Sequence, residues 1–151
     1  MLRISKLTDY ATIIVSFMAR ASEGVASAAS IARGTHLALP TVSKILKKLS
    51  QAGLINSFRG TGGGYRLAYT SEKISIAQIL VAMEGPVAMT ECCATMSACA
   101  LDPLCAVKDN WKAINHYILT ALGSLTLQDM LQPLTAQSLM LKGIPVTVKG
   151  F

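Results

Sequence analysis

Arg59-Gly60-Thr61-Gly62-Gly63 stands between two short β-prone runs, Leu54-Ile55-Asn56-Ser57-Phe58 and Gly64-Tyr65-Arg66-Leu67-Ala68. A glycine-rich turn between two such runs folds the chain back on itself as a hairpin. The turn is no phosphate loop. It lies inside a hairpin, and no helix carrying Lys-Ser/Thr follows it. Glycine allows close backbone approach or a sharp bend, and Arg59 and Arg66 flank the tip with positive charge.

Three helical segments precede the hairpin. Tyr10, Ile14, Phe17, Met18 and Ala21 recur at helical spacing over 7–22. Ser27 is the expected cap of a short helix over Ala28 to Arg33. Pro40 suits the first turn of a third helix, whose apolar face is Val42, Ile45, Leu46 and Leu49 and which Gly53 ends. Three helices and a small hairpin make the winged helix-turn-helix pattern, a mainly α fold with a small β wing.

The charge agrees with that pattern. Residues 1–75 hold ten Lys and Arg against three Asp and Glu, while 76–151 hold four Lys against five acidic residues. A basic first half suits a module that meets double-stranded DNA. Thr41 and Ser43, near the start of the third helix, are candidates for base edges or phosphates, and Lys44 and Lys48 for phosphates. Arg59 and Arg66 are the wing's candidates.

Beyond the hairpin, Ser75-Ile76-Ala77-Gln78 matches a capping box and opens a fourth helix to about Glu84, which Gly85-Pro86 stops. Residues 86–106 hold all four cysteines with little periodicity and are expected to form a long functional loop. A helix returns from about Val107 to Leu122 with Trp111, Ile114, Ile118, Leu119 and Leu122 on one side. Hydrophobic residues are 52% of the chain and charged ones 15%, so packing this helix on its twin in a homodimer would bury surplus apolar surface. A short turn is expected over Thr126 to Leu131, then a loosely held tail without a clear element. The division is 1–85 for the winged helix, 86–106 for the cysteine loop, 107–131 for the dimerisation region and 132–151 for the tail. Neither a secretory signal nor a membrane span is expected, which implies a cytoplasmic protein and reduced thiols.

Cys93, Cys99 and Cys105 form an evenly spaced trio, unlike the tight pairs usual in zinc sites. Thiolates on a loop suit an iron–sulfur cluster, zinc, or metal-free redox chemistry, and spacing leaves all three open. Cys92 reads as a spare or redox thiol, because adjacent residues of an extended chain point apart. Only His36 and His116 offer a base, neither with an evident partner, so an enzyme is not expected.

The opening Leu2-Arg3-Ile4-Ser5-Lys6-Leu7-Thr8-Asp9-Tyr10, the passage from Leu49 to Tyr65 and the cysteine trio resemble the Rrf2 family of bacterial winged-helix transcription regulators, from Met1 to about Leu131. The resemblance implies a homodimer whose long helices cross, with each cluster held by one subunit's trio, here Cys93, Cys99 and Cys105. The family's cysteine-metabolism repressor lacks the trio, so this chain is most similar to the cluster-binding side and to regulators placed with the SUF assembly system. The biogenesis regulator's histidine ligand falls at Lys108, a departure. The nitric-oxide sensor's cross-subunit aspartate falls at Asp9, which the resemblance therefore favours as fourth ligand, with Cys92 and Glu91 as local competitors. Both [2Fe-2S] and [4Fe-4S] clusters are compatible. The biogenesis regulator's DNA-reading glutamate falls at Ser43, implying a different operator preference. The function so implied is repression of iron–sulfur assembly genes under cluster control. The alternatives are nitric-oxide or redox sensing on the same fold, and a zinc-stabilised DNA-binding or interaction protein.

Overall fold

A computed structural model describes residues 3–21, 24–94, 99–101 and 104–145. Helix α1 (Lys6–Arg20) begins where the Ser5 hydroxyl accepts from the Thr8 N–H, satisfying an amide that a helix start leaves unpaired. Ala11, Ile14, Val15 and Met18 turn inward from it, and Tyr10 and Phe17 pack at the margin. Ser27 caps α2 (Ala28–Thr35) in the same way. His36 then adopts a left-handed backbone, φ 56°, and the Leu37 N–H returns to the Ala32 carbonyl at 3.2 Å. That closure turns the chain into α3 (Leu39–Gln51), which Pro40 starts without a side-chain cap. At its end Gly53, φ 72°, lets the Leu54 N–H reach the Leu49 carbonyl at 3.0 Å, a Schellman closure.

Strands β1 (Ile55–Phe58) and β2 (Gly64–Leu67) pair antiparallel, Ile55 opposite Leu67 and Phe58 opposite Gly64. Ala26 adds a bridge to Tyr65, with both backbone hydrogen bonds made, at 2.9 and 2.8 Å. Helix α4 (Ile76–Glu84) carries the expected capping box between Ser75 and Gln78. The winged helix-turn-helix is therefore built as anticipated. Its core is one cluster in which Ile14, Ile31, Ile45, Leu46, Leu49, Ile55, Ile74, Ile79 and Leu127 are fully buried, each burial worth about 1.5–3 kcal/mol.

A 3₁₀ turn, Glu91–Cys93, interrupts the cysteine segment, and α5 (Lys108–Ser124) follows. The Ile76 N–H donates to the Leu125 carbonyl and the Leu127 N–H to the Ile74 carbonyl, which ties the end of α5 to the start of α4. The expected turn near Thr126 is a short helix, α6 (Leu127–Met130), with its own capping box. The expectation of a tail without an element is corrected. Thr135 caps a further helix, α7 (Ala136–Leu141), and Lys142 beyond it pairs with Asp129 at 3.0 Å. Nothing apolar on α7 is buried, so its signal lay in capping chemistry rather than in a hydrophobic stripe. Residues 146–151 of the expected tail lie outside the described residues. No helix among the described residues is long and apolar enough to cross a membrane.

Candidate functional site

Helix α3 buries Val42, Ile45, Leu46 and Leu49, which leaves Ser43, Lys44 and Lys47 exposed and Thr41 half-buried. Lys47, part of the same basic cluster but not among the expected DNA contacts, is as exposed a candidate as Lys44. A helical wheel sets Lys44 and Lys47 opposite the apolar stripe and Lys48 on its flank, so the signal was present. Lys48, expected on a phosphate, donates from Nζ to the Met83 carbonyl at 2.7 Å, on the last turn of α4. A cation there also meets the negative end of that helix.

Glu84 completes the joint. Its Oε1 accepts from the Ser5 N–H at 3.2 Å and from the Thr8 hydroxyl, so the end of α4 grips the start of α1. Hydrogen bonding from Ser5 and then Thr8 holds the Glu84 carboxyl below its ordinary value against the opposing effect of burial, with a lesser contribution from the Lys48 charge. The cysteine segment thus departs from a point fixed to both α1 and α3.

On the wing, Gly60 and Gly62 have φ of 105° and 89°, values that side chains rarely adopt, and they shape the tip beside an exposed Arg59. Arg66 is exposed on β2, its guanidinium 5.2 Å from the centroid of the Phe58 ring. The exposed face of α3 and the wing each offer exposed cations, the chemistry that phosphate contacts use.

All four cysteines are free thiols; Cys92 is buried and Cys93, Cys99 and Cys105 are half-buried. Cys92 and Cys93 do not point apart as an extended chain would have them. On the 3₁₀ turn both sulfurs approach the Thr90 hydroxyl, at 3.1 and 3.2 Å. Glu91 is exposed at the start of that turn. Asp9 is exposed on α1, in a cleft with Lys6, Thr12, Ile76 and Leu80. The donor set, soft thiolates with a carboxylate in reserve, fits an iron–sulfur cluster in chemistry. Among the described residues no three His, Cys, Asp or Glu side chains converge within the single chain.

The thiol turn packs on α5, where the Asn115 side-chain oxygen accepts from the Met89 N–H at 3.0 Å. No residue of α5 is buried. Leu122 and Leu125 reach the core, but Leu104, Val107, Trp111 and Ile114 stand exposed at spacings of three and four residues. The expected apolar side of this helix is therefore divided between the core at one end and solvent at the other.

Residues 4–133 match the family model described as Rrf2, iron-dependent transcriptional regulator. A candidate HTH-type transcriptional regulator of Neisseria meningitidis serogroup A, NMA1593, is 33% identical over 80% of this chain and 81% of its own length. The structure is similar to that of CymR, the global cysteine regulator of B. subtilis, with 28% identity and a TM-score of 0.65 over 87% of this chain and 97% of that one. It is equally similar to T. potens IscR, with 29% identity and a TM-score of 0.64 over 86% of each chain. These are regulators and not enzymes.

Proposed function

The chain belongs to the Rrf2 family of transcriptional regulators, and from that premise we propose that it is a homodimeric, sequence-specific DNA-binding repressor of iron–sulfur assembly genes, controlled by an iron–sulfur cluster. Overall likeness does not choose between cysteine and iron–sulfur regulators. The observation that carries the reading is the loop of free, half-buried thiols beside the exposed apolar end of α5.

Cys93, Cys99 and Cys105 would hold the cluster as thiolates, and Asp9 of the partner subunit would complete the set, with Cys92 and Glu91 as nearer substitutes. When bound, such a group supplies one-electron chemistry and sensitivity to oxidants and nitric oxide. The chain's own residues do the rest. Thiolates so engaged would lock the 3₁₀ turn in its place on α5 and so the helix that would meet its twin. The dimer would then hold its two α3 helices about one turn of DNA apart. Ser43, Lys44 and Thr41 would meet the operator, and Arg59 and Arg66 the flanking backbone. Lys48 would act from behind, through α4.

The test is iron and acid-labile sulfide per chain, with an absorption spectrum, on protein purified without oxygen. Cys99→Ala should bleach the protein, and Asp9→Ala should weaken cluster retention without abolishing it. Colourless protein after attempted reconstitution would overturn the cluster reading. A second reading follows from Thr90, whose hydroxyl approaches two adjacent sulfurs and can donate to one of them. There the regulator is metal-free, and peroxide releases DNA reversibly through Cys92 or Cys93. A zinc-stabilised chain would instead be colourless and would unfold with chelator.

A further inference from the structure

In the β1–β2 register Phe58 faces Gly64 and Asn56 faces Arg66, so Phe58 and Arg66 are diagonal neighbours on one face of the ribbon. That face looks outward. Ile55, on the opposite face, is buried, whereas Asn56, Phe58 and Arg66 are all exposed. Gly64 has no side chain to stand against Phe58, and the ring's diagonal partner takes that place. The neighbour is the Arg66 guanidinium, 5.2 Å from the ring centroid, within the range of a cation–π contact. No carboxylate pairs with Arg66 among the described residues. Phe58 itself is 41% exposed and belongs to no core cluster.

Phe58 stands outside the core cluster and keeps 41% of its surface exposed on a wing strand, so core packing does not account for a ring at this position. It is well explained by what it does to its neighbour. A free arginine must surrender rotamer freedom when it binds a phosphate. One already laid on an aromatic ring has surrendered part of it. A contact with a ring face gives the guanidinium N–H groups no hydrogen-bond acceptor, so they stay open to a phosphate or a groove edge. We propose that Phe58 is a positioning residue for DNA binding, its ring holding Arg66 in the orientation that contacts the DNA backbone beside Arg59. The proposal rests on the reading of the chain as a DNA-binding regulator whose wing meets the duplex.

The experiment is a double-mutant cycle on the full chain. Affinity for a mixed-sequence DNA duplex, and its salt dependence, would be measured for wild type, Phe58→Leu, Phe58→Tyr, Arg66→Ala and the Phe58→Leu/Arg66→Ala double variant. Leucine keeps apolar bulk on the strand and removes the ring; tyrosine keeps the ring. Phe58→Leu should weaken binding about two- to five-fold per wing, the range of an exposed cation–π contact. Phe58→Tyr should restore wild-type affinity. Arg66→Ala should weaken binding and lower the salt dependence by up to about one unit, and adding Phe58→Leu to it should change nothing more. An equal loss from Phe58→Leu with and without Arg66 would overturn the proposal, because the ring would then act on DNA or on the wing fold by itself. So would no loss from Phe58→Leu, or an Arg66→Ala variant with unchanged affinity and salt dependence. A wild-type chain that binds no duplex would overturn the DNA-binding reading and the proposal with it, a result distinct from zero coupling in a chain that binds.

Discussion

Thr8 is the buried polar side chain of the core, and Glu84 is why it can be there. A buried hydroxyl without a partner would be costly, and the carboxylate supplies one while also holding the Ser5 N–H. The pH dependence follows from the sign of the shift. The folded carboxyl titrates below its ordinary value of 4.5, so its contribution to stability is complete above that value and is lost as pH falls through the lower, folded one. Glu84→Gln should therefore flatten the loss of stability on acidification below about pH 4.5, measured by urea unfolding across a pH series. Burial pushes the Asp129 carboxyl up, but hydrogen bonds from the Thr126 N–H and hydroxyl and from Lys142, with the Lys142 charge, together hold it below its usual range. Some acid sensitivity should consequently survive in the variant. Gly64 offers a second test. A Cβ there would lie 2.5 Å from the Ala26 carbonyl oxygen, a backbone atom that cannot swing aside as a flexible side chain can. Gly64→Ala should break the Ala26–Tyr65 bridge and destabilise the chain by about 1–3 kcal/mol in thermal unfolding.

Helix α3 separates two kinds of lysine that look alike in the sequence. Lys44 and Lys47 face solvent, whereas Lys48 donates to α4. Lys44→Ala or Lys47→Ala should weaken binding to all DNA alike and lower the salt dependence by about one unit, with little change in melting temperature. Lys48→Met should do the reverse, costing about 1 kcal/mol of stability and leaving the salt dependence near wild type. Binding titrations at several salt concentrations, beside thermal melts, would check both. The same contrast shows what a sequence discloses. Caps and turns were legible, Ser27, Pro40, Gly53 and the Ser75–Gln78 box among them, because each is settled within a few residues of chain. The charged face of α3 was legible as a face. The partner of Lys48 was not, because Met83 lies 35 positions away and only packing brings it near. The cysteines were legible as a motif, yet the 3₁₀ turn that draws two sulfurs to one hydroxyl depends on the docking of that turn against α5.

At the scale of the whole molecule the unsettled surface is the free end of α5. Trp111 and Ile114 stand exposed at helical spacing on α5, and Val107 at its N-cap and Leu104, 88% exposed in the turn before it, add apolar surface at that end. A spacing of three and four residues is the seam along which two helices pack. In a chain with 52% hydrophobic and 15% charged residues, the second copy proposed above would cover such a seam. Symmetry then doubles the effect of any change, because each substituted residue enters the interface twice. Ile114→Glu removes about 1.5 kcal/mol or more of apolar burial per copy, before the cost of placing a carboxylate there. Two copies make about 3 kcal/mol, so the dimer should dissociate at least about a hundred-fold more readily. Light scattering across a dilution series should give twice the chain mass for wild type and the single-chain mass for Ile114→Glu. DNA affinity should fall in step, since a monomer engages one half-site where the dimer engages two. A variant that stayed dimeric with full affinity would show that the copies meet elsewhere and that the seam serves another partner. A variant that became monomeric yet kept full affinity would separate dimerisation from DNA binding, and the α3 helices would then need no fixed spacing.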